Sequence, residues 1–149
     1  VRDAWRVLDR RFAGLNAVLL QRYLPAEVEA IIGVKCEVGF GHVIGLGLGG
    51  TRAERLNEIE FRLLPLTSHD AYQLVRDSPL ADICLKKSGQ LAAPGKAVAE
   101  ALLAISALVS AIPEIRELDL NPVALFPARD LLFVLDARVF VAAIGLVGA

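Results

Sequence analysis

Hydrophobic and polar positions along the chain change period several times, and each change marks a predicted element. Over residues 2–13, Trp5, Leu8 and Phe12 recur at helical spacing between Arg and Asp residues, predicting an amphipathic helix. Two β-rich apolar runs follow, 17–24 (AVLLQRYL) and 27–37 (EVEAIIGVKCE), separated by Pro25. Residues 41–50 (GHVIGLGLGG) read as a glycine-loaded strand. Residues 58–66 alternate, with Ile59, Phe61 and Leu63 opposing Glu60 and Arg62. Thr67 precedes SHDAYQLVR and has Asp70 three positions on, which is the signature of a capped helix start. Residues 78–84 fit a second short helix, 86–95 a loop, and 97–112 a long apolar helix. Lys96, Glu100, Ser106 and Ser110 fall on one stripe of that long helix, its expected wet edge. Two strands close the pattern, 117–126 and 131–141, with 140–149 expected as a tail. Strands come first and helices cluster later, so the fold class is α+β, without a regular βαβ alternation.

Composition narrows the class. The chain has 149 residues, 55% of them hydrophobic, and 16 Lys+Arg against 17 Asp+Glu give a net charge of -1. That is one domain with enough apolar material for a core, and it excludes a disordered chain. Near-neutral charge argues against nucleic acid as a partner. Cys36 and Cys84 read as reduced thiols, which suits a cytoplasmic protein. The window 97–112 is shorter than the roughly 20 residues of a membrane span, and no signal peptide opens the chain. No membrane partner is expected. The sequence contains no Met and opens inside a helical pattern. Residues 1–149 are therefore expected to be one folding unit that is a piece of a longer protein.

Two segments carry candidate chemistry. In an extended segment Gly45, Gly47 and Gly49 share one face, and Ile44, Leu46 and Leu48 the other. A face without side chains admits close approach by a ligand, a phosphate or another segment, or simply tight packing under a helix. Gly45-x-Gly47-x-x-Gly50, with Asp70 further on, also fits a dinucleotide fingerprint in letters. The next strand begins too soon for a crossover helix, so a Rossmann-type site is set aside. At the other end, Asp119 and Asn121 share a strand face, as do Asp136 and Arg138 on the next strand. Antiparallel pairing of these strands would bring Asn121 and Asp136 together. A carboxylate and an amide oxygen suit Mg²⁺, which takes few protein oxygens and completes its shell with water and phosphate. Spacing alone leaves an ordinary solvated turn at Asn121-Pro122 as the other reading.

Several short motifs then occur in a specific order. Glu29-Ala-Ile-Ile-Gly33, Gly39-Phe-Gly41, Gly47-Leu-Gly-Gly50, Glu54 and Phe61-Arg-Leu-Leu-Pro65-Leu are followed by Glu117-Leu-Asp119-Leu-Asn121-Pro122 and Leu135-Asp136-Ala137-Arg138. This layout, covering nearly the whole chain, resembles the ATP-grasp domain of ADP-forming acyl-CoA synthetases. It is similar, more distantly, to the β chain of succinyl-CoA synthetase. The resemblance implies the C-terminal ATP-grasp subdomain, a mostly antiparallel sheet packed with helices. It also implies a reaction of acyl-CoA, ADP and phosphate to acid, CoA and ATP through a phosphohistidine carried on another domain. ATP/ADP and Mg²⁺ are the implied cofactors. CoA-binding and phosphohistidine-carrying domains, in the same protein or a partner subunit, are the implied partners.

The resemblance also distributes roles. Gln21, Arg22, Tyr23 and Leu24 fall where the family holds adenine. Glu29 and the loop glycines Gly47, Gly49 and Gly50 count with the nucleotide-binding residues. Asn121 and Asp136 match the metal ligands. Asp119 matches the acidic residue that steadies the phosphohistidine, and Glu54 the acid after the glycine loop. Arg62 matches the arginine before Leu-x-Pro. The chain departs from the family around Gly39-Phe-Gly41, where Glu37-Val38 precede and His42 follows. Neither His42 nor His69, and none of Lys35, Lys86, Lys87 and Lys96, matches a family role. The isolated chain is expected to fold but to be inactive. The alternative is a regulatory nucleotide- or CoA-sensing module of a protein acetyltransferase.

Overall fold

The protein's structure, a computed structural model, describes residues 2–12, 14, 16–50, 59–129 and 131–142. Six antiparallel strands form one sheet: β1 (Val28–Glu37), β2 (Gly41–Leu48), β3 (Ile59–Leu63), β4 (Ile115–Phe126), β5 (Leu131–Val134) and β6 (Ala137–Val141). The order is β3-β2-β1-β4-β5, with β6 continuing along the β4 edge after β5. The helices are α1 (Arg2–Arg11), α2 (Ser68–Asp77), α3 (Ala81–Cys84) and α4 (Ala93–Ala111).

Strand alternation builds the core. Ala30, Ile32 and Val34 of β1, Ile44 and Leu46 of β2, and Leu118, Val123 and Leu125 of β4 turn to one face and are buried. There they join Leu74 of α2 and Val98, Leu102, Ile105 and Val109 of α4 in one cluster. Each large side chain removed from water in this way contributes roughly 1.5–3 kcal/mol. Helix α4 is long and apolar enough to cross a membrane by length and composition. Eight of its residues are nevertheless buried, and the place of Val98, Ala99, Leu102, Ile105 and Val109 in the core cluster accounts for its apolarity. Helix α2 begins as its sequence dictates: the Thr67 side chain accepts from Asp70 N–H, and the Asp70 carboxylate accepts from Thr67 N–H. The Thr67 hydroxyl, which donates to the Asp70 carboxylate at 2.6 Å, and the Thr67 N–H hold the Asp70 carboxyl below the ordinary carboxylate range.

Several expectations are corrected. Residues 17–24 have no regular secondary structure, and Leu19, Leu20 and Tyr23 are exposed. β-Propensity describes fit to a sheet surface, and no strand offers this run a ladder among the described residues. Helix α4 starts at Ala93, ahead of the expected start, because Pro94 needs no hydrogen-bond acceptor in a first turn. Ser106 is not on a wet edge: it is buried, and its hydroxyl accepts from Leu66 N–H at 2.9 Å. The run 131–141 is two strands interrupted at Leu135-Asp136, and β6 extends to Val141, into the expected tail. Residues 143–149 lie outside the described residues. In β3 the expected alternation holds, but its apolar set faces away from the helices. Ile59, Phe61 and Leu63 are 41%, 56% and 55% exposed. Arg62 points to the helix layer instead and bonds Asp77 of α2 at 2.7 Å.

The two thiols differ in the same structural terms. Cys84 is fully buried, and desolvation pushes its pKa up to about 11. Cys36 is half-buried and receives a hydrogen bond from Arg116 at 3.3 Å. One thiol per chain is therefore expected to react with a disulfide reagent such as DTNB under native conditions, and two after denaturation. Two fast thiols in the native state would contradict the packing of α3.

Candidate functional site

The sheet face opposite the helices positions the candidate residues. Ile31, Gly33 and Lys35 of β1 alternate with the core residues, as do Val43, Gly45 and Gly47 of β2. Phe61 lies directly opposite Gly45 across the β2–β3 ladder. A Cβ at Gly45 would come within 2.8 Å of the Phe61 ring and 2.9 Å of Ile59. The glycine face is therefore covered laterally by β3 side chains. Beside it opens a cavity of about 390 Å³ lined by Gly33, Lys35, Glu37, Phe61, Glu117 and Asp119, among others. Lys35 pairs with Glu37 at 2.9 Å. Its hydrogen bond to Glu37 and the charges of Glu37 and Glu117 hold its pKa above the ordinary lysine value. Across the β1–β4 ladder, Glu117 faces Lys35 and Asp119 faces Gly33.

The next positions along β4 form a square of polar residues. Asp119 stands opposite Arg138 of β6. Asn121 and Asp136 are the neighbouring pair: Asn121 N–H donates to the Asp136 carbonyl at 3.2 Å, and Leu135 N–H to the Pro122 carbonyl at 3.0 Å. Leu120 and its partner Ala137 turn to the helix side, so Asn121 and Asp136 share the open face with Asp119 and Arg138. On the other side of β4, Ala30 pairs with Val123 and Ile32 with Leu120. Asn121 and Pro122 thus oppose the single residue Ile31, a bulge of the kind that re-aims side chains. The Arg138 guanidinium lies 3.7 Å from the Asp136 carboxylate. The donor set fits a hard cation of low protein coordination: one carboxylate and one amide oxygen, both exposed, on neighbouring segments of the sheet. Among the described residues no three His, Cys, Asp or Glu side chains form a fuller cage.

Glu29, Gly49 and Gly50 meet at a second position. Gly49 N–H donates to the Glu29 carbonyl at 2.7 Å, and a Cβ at Gly49 would press on the Glu29 backbone at 3.1 Å. Gly50 has φ +83, and a Cβ there would lie 3.0 Å from the Glu29 carboxylate. These residues line a concavity of about 560 Å³ with Glu27, Leu48 and Ile83. Gly47 lies inside β2, between Ile31 and Ile59. Gln21, Arg22 and Tyr23 are exposed on irregular backbone, with Leu24 half-buried. Glu54 lies outside the described residues. Arg62 bonds Asp77, Glu60 and the Phe61 carbonyl, so its guanidinium ties β3 to α2. Glu117 and Phe61 occur in the sequence motifs without an assigned role, and Lys35 matches none. Alternation puts Lys35 on the face of Gly33, but only strand register brings the three together.

A sequence-family profile described as an ATP-grasp domain matches residues 1–141. The chain belongs to the ATP-grasp family. This ATP-grasp chain is 32% identical over 126 residues to subunit beta of ADP-forming acetate–CoA ligase I of Pyrococcus furiosus, covering 85% of the chain and 53% of the relative. It is 36% identical over 114 residues to ADP-forming acetate–CoA ligase I of Archaeoglobus fulgidus, covering 76% of the chain but 17% of that relative. The chain thus spans about half or less of the length of these relatives. Among solved structures, acetyl-coenzyme A synthetase 1 of Ca. Korarchaeum cryptofilum in its apo form matches with a TM-score of 0.76 at 29% identity. That match covers 95% of the chain and 65% of the other. The same enzyme was solved with coenzyme A and Mg-AMPPCP, its phosphohistidine segment pointing towards the nucleotide-binding site. That form matches with a TM-score of 0.75 at 28% identity, covering 95% and 62% of the two chains. The antiparallel six-stranded sheet with its helix layer is the ATP-grasp C-terminal subdomain expected from the motifs.

Proposed function

We propose that this chain is the nucleotide- and magnesium-binding part of an ADP-forming acyl-CoA synthetase. The complete protein would convert acyl-CoA, ADP and phosphate to acid, CoA and ATP through a phosphohistidine. One observation carries the reading: Asn121 of β4 and Asp136, in the break between β5 and β6, are joined by a backbone hydrogen bond and share the open face, with Asp119 two residues away on the same face. Relatives named ADP-forming acetate–CoA ligases, and a neighbour solved with coenzyme A and Mg-AMPPCP, support it.

The residues divide the work by position. The amide oxygen of Asn121 and the carboxylate of Asp136 hold Mg²⁺, which when bound neutralises phosphate charge during phosphoryl transfer. Asp119 accepts a hydrogen bond from an incoming imidazole N–H and fixes which ring nitrogen faces the nucleotide. At the second concavity, Gly49 is packed against the Glu29 backbone while Gly50, at φ +83, is exposed, so a nucleotide approaches the main chain at Gly50. The irregular segment Gln21–Leu24 offers its backbone to adenine. The CoA-binding and phosphohistidine-carrying domains complete the site from elsewhere in the same protein or from a partner subunit.

The test is ATP formation from acetyl-CoA, ADP and phosphate by the full-length protein that carries this chain. Asp119→Asn is expected to lower kcat by at least ~100-fold while nucleotide affinity stays within about threefold. Nucleotide binding without any ATP formation from a panel of acyl-CoA thioesters would contradict the synthetase reading in favour of a regulatory module.

A further inference from the structure

Arg138 completes the polar square but has no part in the metal reading above. It stands opposite Asp119 across the β4–β6 ladder, and its Nη2 lies 3.7 Å from Asp136 Oδ2. The two side chains are 70% and 54% exposed. An ion pair this open to water adds little to fold stability. Its effect falls on what else Asp136 can hold. A guanidinium keeps its charge throughout the working pH range and has no lone pair to give a metal. It therefore competes with a divalent cation for the Asp136 carboxylate and repels it as well. The same planar group binds phosphate oxygens through paired N–H donors.

We propose that Arg138 is the resident counter-ion of the metal site: it occupies Asp136 while the site is empty and transfers to phosphate oxygens when the metal–nucleotide complex arrives. The proposal rests on Asn121 and Asp136 being the metal ligands. Its long side chain has Asp136 as its ion-pair partner among the described residues, and its exposure leaves it free to swing over the open face. The arrangement disfavours the bare cation and favours the cation already bound to nucleotide, so metal and nucleotide enter together.

The experiment measures Mn²⁺ binding by electron paramagnetic resonance on the full-length protein, with and without a non-hydrolysable ATP analogue. Arg138→Gln is expected to bind bare Mn²⁺ roughly fivefold tighter, because a repelling charge beside the ligand is gone. It is expected to bind the Mn²⁺–analogue complex about tenfold more weakly, and Arg138→Lys to recover most of that affinity. A purely structural Arg138 would shift neither value in opposite directions. Unchanged or weaker bare Mn²⁺ binding in Arg138→Gln, with Asp136→Ala abolishing it, overturns the counter-ion role and leaves the ligand assignment standing. Full Mn²⁺ binding in Asp136→Ala overturns both.

Discussion

Gly95→Ala is expected to cost the fold about 3 kcal/mol or more, the upper range for forcing atoms into a packed interior. A Cβ on Gly95 would lie 2.2 Å from the Cys84 carbonyl oxygen and 3.0 Å from its carbon. These are backbone atoms, which no rotamer change can move aside. The carbonyl is also engaged, since Ala92 N–H donates to it at 2.9 Å. Relief therefore means prising the first turn of α4 from the end of α3 and breaking that bond. Gly95, Cys84 and Val98 are all buried at this junction, so the displacement is felt through the core. Urea unfolding checks it: the midpoint should fall sharply for Gly95→Ala. Gly33→Ala, whose Cβ meets only the Leu118 carbonyl at an ordinary 3.9 Å, should change it little. Equal midpoints for the two variants would mean that α3 and α4 do not pack as described.

Local signals in the sequence proved strong where a residue's partner lies nearby in the chain. The Thr67–Asp70 capping box is written in four consecutive residues and is present as both reciprocal bonds. The β1–β2 hairpin follows from two alternating runs and a short turn in which Gly39 has φ +87. Asn121 and Asp136 could be matched because alternation gives faces and a short connection gives antiparallel pairing. The failures are those of non-local information. Alternation in β3 does not say which face meets the core. Arg62 has Asp77 to meet on the helix side, so Phe61 was left on the open face above Gly45. Residues 17–24 have strand-like composition but no partner. Ser106 looked wet from its stripe, yet the loop before α2 brings Leu66 N–H to it. Lys35 meets Glu117 and Asp119 only through the register of β1 with β4, which no single segment encodes.

The second large effect concerns the paired strands. Asn121 and Asp136 are exposed, and their backbones, not their side chains, make the ladder bonds. Replacing both with alanine should therefore leave the sheet intact while removing both hard oxygen donors. Changing partners that only orient metal ligands costs roughly 10–100-fold in affinity, so removing the ligands themselves should cost at least ~100-fold. The loss should be confined to the metal-dependent component, because Glu29, Gly49 and Gly50 are untouched at their separate position. A circular dichroism spectrum like that of the wild type would establish that the loss is not unfolding.

Isothermal titration calorimetry of the full-length protein with ADP, in the presence of Mg²⁺ and of EDTA, tests the central claim most directly. The account predicts a large Mg²⁺-dependent gain in affinity for the wild type and none for the Asn121→Ala/Asp136→Ala protein. An unchanged Mg²⁺-dependent gain in the double variant would contradict it.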